Sequence, residues 1–242
     1  MRVMLAAAAV CIFLIPALIA HAYQAENVTS GGTISGTVKY GGAPPSPEPL
    51  EITKDRDVCG TYVVYDPSLI VASDGGIANA VVTIADISKG EPMKPEAAVK
   101  FDQKGCEYVP HVLVFPAGST IDIVNSDGIL HNIHTESKIN PVIDVAQPGF
   151  KREIQVTIAK PEIIKVSCDA HNWMQGWWYA AVNPYYALTG RDGSFTIANI
   201  PPGTYTLRVW QERLGVVTQK VTVGAGATVT ANFTMKPGKG QD

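Results

Sequence analysis

The sequence predicts an all-β protein of the sandwich class, on three observations. Runs of strand length, rich in β-branched residues, recur from residue 33 to residue 235. Gly, Pro, Asn and Asp interrupt them at short intervals, as turns between sandwich strands do. No segment carries a sustained helical period. The 242 residues suffice for one large β-domain or two smaller ones.

Residues 1–22 read as a secretory signal rather than a strand. Arg2 leads into the apolar run VMLAAAAVCIFLIPALIA, and Ala20-His21-Ala22 offers an Ala-x-Ala cleavage site. The run is also long enough to anchor in a membrane, but Pro16 and the cleavage triplet favour removal. The mature chain is then exported, periplasmic or extracellular, and has no membrane span, because no later stretch is long and apolar enough. Cleavage removes one arginine and no acid, which takes the net charge from −3 to −4. The charges are scattered without a basic block, which speaks against a nucleic-acid partner.

The strands follow in order: TISGTVKY (33–40), NAVVTIADI (79–87), HVLVF (111–115), STIDIVN (119–125), EIQVTIA (153–159), EIIKVSC (162–168), SFTIANI (194–200), TYTLRVW (204–210) and ATVTANFTM (227–235). SDGGI, RDGS and PPGT between them are turns, since Gly accepts positive φ and Pro fixes its own. The stretch from SPEPLEITKDRDVCG to SLIVASDGG fits no strand pattern and reads as an irregular excursion tied down by Cys59.

GRDGSFTIANIPPGTYTLRVW (190–210) with QKVTVGAGATVTANFTM resembles the latter part of a carboxypeptidase regulatory-like domain, a small transthyretin-like β-sandwich. The matching opening, ISGTVKYGGAPP with GIANAVVTI, lies about 110 residues earlier. The resemblance therefore implies one sandwich in two parts, residues 33–98 and 183–236, with residues 99–182 inserted between them. Insertions of this kind are tolerated at surface turns.

Cys11 leaves with the signal, so the mature chain holds Cys59, Cys106 and Cys168. An odd count in an oxidising compartment leaves one thiol unpaired or ligated. Cys59 and Cys106 both neighbour glycine in loop-like sequence, whereas Cys168 is surrounded by potential ligands. The expected disulfide is Cys59–Cys106, with Cys168 a thiolate; the alternative places Cys168 in a disulfide and leaves another cysteine spare. That pairing would staple the excursion to the inserted segment.

Cys168, His171 and Met174 form Cys-x2-His-x2-Met at a strand end. Two sulfurs and an imidazole suit copper, and one more histidine completes the His2Cys set with a weak axial Met used for electron transfer. The segment YVPHVLVFPAGSTIDIVNSD, followed by GILHNIHT, resembles the middle of a plastocyanin or pseudoazurin, so the insertion is identified as a cupredoxin-like Greek-key β-sandwich. The resemblance implies His131 as the upstream imidazole, Cys168 as the thiolate, His171 as the second imidazole and Met174 as the axial thioether. Gln175, or no protein atom, is the alternative in the axial position. It further implies that Asn132 steadies the two ligand loops. In this family the second loop histidine sits at the protein surface, so His171 should lie near solvent, with Trp173 on an apolar docking surface beside it. His134, three residues beyond His131, is read as a surface or outer-sphere residue, and His111 as a hydrogen-bonded packing residue. Trp177, Trp178, Tyr179, Tyr185 and Tyr186 read as core or interface aromatics.

The function implied is that of an exported type 1 (blue) copper protein carrying single electrons. Its partner would be a redox protein such as an exported cytochrome or a copper or haem enzyme. No Ser-His-Asp set or paired carboxylates appear in a recognisable context, so no enzyme is expected. Two other readings remain: a copper-handling or sensing protein, and a surface-binding β-sandwich with a metal-stabilised insert.

Overall fold

A computed structural model describes residues 23–237, and the expected secretory signal at 1–22 lies outside them. The described chain is all-β, with a single turn of helix at Arg56–Cys59. Its larger sheets form two sandwiches. One takes its strands from residues 32–84 and 186–235, the other from residues 99–181.

In the first sandwich, one sheet runs Tyr186–Leu188, Val81–Ile84, Gly203–Gln211, Gly215–Val223. The opposite sheet is built on Gly32–Tyr40. That strand pairs antiparallel with Ser194–Ile200 and parallel with both Thr228–Thr230 and Phe233–Met235. Alternate residues of the two sheets, among them Ile34, Val38, Val82, Ile84, Leu207, Val209 and Phe233, face one core. The sequence reads residues 227–235 as one strand, but the structure divides it. Asn232 breaks the ladder because its side-chain Oδ1 accepts the Thr37 N–H and hydroxyl. Gly36 lets the chains approach here, since a Cβ on it would stand 1.8 Å from the Ala231 carbonyl oxygen.

The second sandwich packs a five-stranded sheet on a four-stranded one. The five-stranded sheet runs Asp144–Gln147, His131–Glu136, Glu162–Ser167, Gln175–Ala181, Val112–Pro116. The four-stranded sheet runs Glu153–Thr157, Thr120–Asn125, Val99–Gln103, Tyr108–Val109. Phe101, Phe115, Ile121, Ile123, Ile133, Ile164 and Trp178 fill the space between them. Each such fully buried apolar side chain contributes about 1.5–3 kcal/mol. Several of these strands escape sequence reading because they are short or carry polar residues: Val99–Gln103 holds Lys100, Asp102 and Gln103, and His131–Glu136 is mostly polar.

A third cluster joins the sandwiches: Val81 and Trp210 from the first meet Val112, Tyr179 and Ala181 from the second. Beside it, the Glu212 carboxyl pairs with His111 Nε2 and accepts the Trp177 indole N–H at 2.7 Å. The excursion between the strands at 32–40 and 81–84 reaches the second sandwich and is fastened there by a Cys59–Cys106 disulfide.

Candidate metal centre

Three segments converge at one end of the second sandwich. His131 opens the strand His131–Glu136, Cys168 directly follows Glu162–Ser167, and His171 lies in the loop before Gln175–Ala181. The first two strands are hydrogen-bonded neighbours, with Ser167 opposite His134, which brings their site ends together. The ligand loop is closed on itself by Cys168 N–H to the Met174 carbonyl (3.2 Å) and Met174 N–H to the His171 carbonyl (3.0 Å). Asn125 braces the other loop. Its Nδ2 donates to the carbonyls of Ile129 and Gln147, and its Oδ1 accepts the Gly128 N–H.

His131, Cys168 and His171 are all buried, at 0, 3 and 0 % exposure. Each offers one ligand atom, and these three atoms lie within 4.8 Å of one another. The two Nδ1 atoms are 3.1 Å apart, and Cys168 Sγ is 3.8 Å from His171 Nδ1. The outer ring nitrogens are both engaged by carboxylates: His131 Nε2 with Asp127 Oδ2 at 2.9 Å, and His171 Nε2 with Asp55 Oδ2 at 2.8 Å. A carboxylate accepts, so each imidazole donates from Nε2 and turns the Nδ1 lone pair inward. The tautomers are assigned from these partners.

Burial would raise the Cys168 thiol, but the His131 imidazole and the backbone N–H groups of Asn132, His171 and Ala170 overcome it and hold the thiol below its ordinary value. Burial opposes charge on His131, yet Asp127 and the Cys168 sulfur pull its ring above the ordinary value. His171 goes the other way, lowered by burial and by the neighbouring His131 despite Asp55. Asp127, which burial alone would raise, is held low by His131 and by the N–H groups of Cys106 and Gly105. Two inward-facing Nδ1 atoms and an acidified thiol, all buried and close together, form a donor set suited to a cation. The set fits a soft or borderline metal. Met174 is buried in the same core cluster as Cys168, whereas the Gln175 side chain is exposed.

Several expectations change. His171 does not reach the surface: its ring is fully buried because Asp55 and the excursion cover its outer nitrogen. Trp173 is half-buried, with its ring centroid 5.1 Å from that of His171 and its indole N–H bonded to the Cys106 carbonyl. The Asn132 side chain does not bridge the ligand loops; its Nδ2 donates to Asp144 Oδ1, and only its backbone N–H faces the thiol. Cys59 and Cys106 are joined as expected, leaving Cys168 free. His111 is buried and donates from Nδ1 to the Gln175 carbonyl, while His134 is part-exposed and paired with Asp169. Sequence reading missed Asp127 and Asp55. Asp127 was detectable as an acid four residues before His131. Asp55 lies 116 residues from His171 and had no signal beyond its nearness to Cys59.

Residues 180–236 match the family model described as "Carboxypeptidase regulatory-like domain". A putative rhamnogalacturonase of Neurospora crassa is 44% identical over 56 residues, 23% of this chain and 10% of that protein. Rhamnogalacturonate lyase A of Aspergillus aculeatus is 43% identical over 56 residues, 23% of this chain and 11% of that protein. The chain thus spans about a tenth of the length of the curated relatives it matches. Among solved structures, a purple cupredoxin from Nitrosopumilus maritimus is 19% identical with a TM-score of 0.30, covering 34% of this chain and 99% of its own. Amicyanin from Paracoccus versutus is 18% identical with a TM-score of 0.32, covering 41% of this chain and 97% of its own. Such scores are too low to define a fold, and the account of the second sandwich rests on its own strand pairing.

Proposed function

We propose that this is an exported protein that holds one copper ion on His131, Cys168, His171 and Met174 and carries single electrons between redox partners. The observation that supports this most is the buried pair of inward-facing Nδ1 atoms beside the Cys168 sulfur. Copper bound there would supply one-electron chemistry between its cuprous and cupric states. The chain's own residues do the rest. Asp127 and Asp55 orient the two rings, the His131 imidazole and backbone N–H groups hold the thiol below its ordinary value, and the packed loop 168–174 keeps the ligands in place. Ligands fixed in this way need little movement when the charge on the metal changes. Met174, from the same loop, is the weak fourth ligand. The disulfide agrees with an oxidising compartment, periplasmic or extracellular. The partner is a redox protein such as an exported cytochrome or a copper or haem enzyme, and the protein itself is a carrier, not an enzyme.

The test is an absorption and spin-resonance spectrum of the copper-loaded protein. An intense thiolate-to-cupric band is expected, lost in Cys168→Ser and lost or altered in His131→Ala. A band that survives Cys168→Ser would exclude the assignment.

A further inference from the structure

The two histidines rest on two carboxylates, and one disulfide ties those carboxylates together. On one side, Asp127 accepts the His131 Nε2–H while its oxygens also accept the N–H groups of Gly105 (2.6 Å) and Cys106 (2.8 Å). Gly105 adopts φ +67 in making that turn, a conformation glycine enters without cost. On the other side, Asp55 accepts the His171 Nε2–H, and its backbone carbonyl accepts the N–H groups of Val58 and Cys59. The Cys59–Cys106 bond closes the circuit. Two further contacts bind the same parts: Lys54 Nζ donates to the Ala170 carbonyl of the ligand loop, and the Trp173 indole donates to the Cys106 carbonyl.

Asp55 sits where its local sequence would use it differently. It immediately precedes the helical turn Arg56–Cys59, a position at which an aspartate ordinarily accepts the helix's own N–H groups. Here it makes no such bond, and its backbone is left-handed at φ 46, ψ 44. That conformation is uncommon outside glycine, though aspartate tolerates it better than most. The carboxylate is diverted to an imidazole 116 residues away, on a segment that supplies no strand to the second sandwich. A residue that gives up its capping bond and takes a rare backbone conformation needs something to hold it, and the disulfide four residues on does so.

We propose that Asp55 is a positioning residue of the metal centre and that the Cys59–Cys106 disulfide serves to hold it over His171, so that the excursion closes the centre from outside the sandwich that carries the ligands. The inference rests on the copper reading for its consequence at the metal, but not for its structural content. Asp55 sets which nitrogen of His171 carries the proton, excludes water from the outer ring edge and places a negative charge beside the centre. A negative charge favours the cupric over the cuprous ion, so removing it raises the reduction potential. Losing an outer-sphere partner of this type typically weakens metal binding by about 10- to 100-fold. A tenfold loss confined to the cupric ion raises a one-electron potential by about 59 mV.

The experiment uses the full mature chain in five forms: wild type, Asp55→Gly, Asp55→Asn, the double variant Cys59→Ser/Cys106→Ser, and that double variant with Asp55→Gly added. Asp55→Gly removes the carboxylate while relieving the left-handed backbone, and Asp55→Asn keeps an acceptor oxygen without the charge. The first readout is metal-free: two-bond proton–nitrogen correlation spectra of the His171 ring. Wild type should show the Nε2–H tautomer, and Asp55→Gly and the disulfide-free form should show mixed tautomers. The second is cupric affinity and reduction potential with the visible band as the signature. Asp55→Gly should keep the band, bind cupric ion about 10- to 100-fold more weakly and have a raised potential. Asp55→Asn should restore the Nε2–H tautomer, because the acceptor returns, but recover only part of the cupric affinity and keep a raised potential, because the charge does not. Adding Asp55→Gly to the disulfide-free form should cost little more, because both changes remove the same contact. An unchanged His171 tautomer in Asp55→Gly, or full additivity with disulfide loss, would overturn the proposal. A wild type without a thiolate–copper band would instead overturn the copper reading, and the metal-free tautomer spectra would still decide the role of Asp55.

Discussion

At the scale of single residues, the centre is governed by acceptors that have more than one donor to satisfy. Asp127 serves His131 and two backbone N–H groups at once, so removing it leaves three donors without their partner. Each buried donor left unpaired costs about 1–3 kcal/mol. Asp127→Ala should therefore destabilise even the metal-free protein by at least about 2 kcal/mol in denaturant titrations, a larger loss than any Asp55 variant shows. An Asp127→Ala protein as stable as wild type would mean that the Gly105 and Cys106 amides find other acceptors. Trp173 divides its contributions differently, since its indole N–H bonds the Cys106 carbonyl while its ring packs on His171 and the second core. Trp173→Phe should lose only the hydrogen bond, about 1 kcal/mol. Trp173→Ala should lose about 3 kcal/mol, the low end for large aromatic truncation because the ring is half-buried. Equal losses in the two variants would show that the ring contributes nothing.

Among elements, the loop 137–140 shows how one side chain organises a turn. Glu162, at the start of its strand, accepts the backbone N–H groups of Lys138, Ile139 and Asn140 and the Asn140 side chain. Burial would raise its carboxyl, but these donors outweigh that and hold it below the ordinary carboxylate range. A lowered folded value means that the ionised form stabilises the fold fully above the unfolded carboxyl's pKa, about 4.3. That contribution is lost as pH falls through the lower folded value. Glu162→Gln should thus melt earlier than wild type at pH 7, with the difference shrinking toward pH 2 in a Tm-versus-pH series. A constant gap across that range would remove Glu162 from the acid response. Gly36 offers a test in the first sandwich, where a methyl would strike the Ala231 carbonyl. Gly36→Ala should destabilise by about 1–3 kcal/mol, as overpacking does, when measured by chemical unfolding.

For the whole molecule, the two sandwiches are joined by an apolar patch and one buried acid. Trp177 and Trp210 meet edge to face at 5.2 Å, and Glu212 holds both His111 and the Trp177 indole. Glu212→Ala leaves those two groups without a partner, at about 1–3 kcal/mol each. Both contacts cross between the two sandwiches, so calorimetry should show the sandwiches unfolding less cooperatively. A variant that still melts in one sharp, unshifted transition would show that the apolar patch suffices. The disulfide closes a span of 47 residues, for which chain entropy predicts a contribution on the order of 4 kcal/mol. That is comparable to two buried core side chains, enough to keep an excursion without strands of its own in place.

What the sequence determined by itself was local. Alternating β-branched runs and Gly-rich turns specify the all-β class, because strand periodicity and turn chemistry depend on neighbours in the chain. The cluster Cys168, His171 and Met174 was legible for the same reason, as was His131 beside its Asn-x-Asp turn. The cysteine pairing was legible because Cys168 stands among potential ligands while Cys59 and Cys106 both neighbour glycine in loop-like sequence. Short polar strands such as His131–Glu136 were not legible, because their place in the sheet comes from neighbours on either side and not from their own pattern. The covering of His171 by Asp55 and the joining of His111 to Glu212 were decided only by tertiary structure. These partners lie 116 and 101 residues apart. No spacing rule links residues at such distances; they meet because the excursion is drawn across the second sandwich and because the two cores dock.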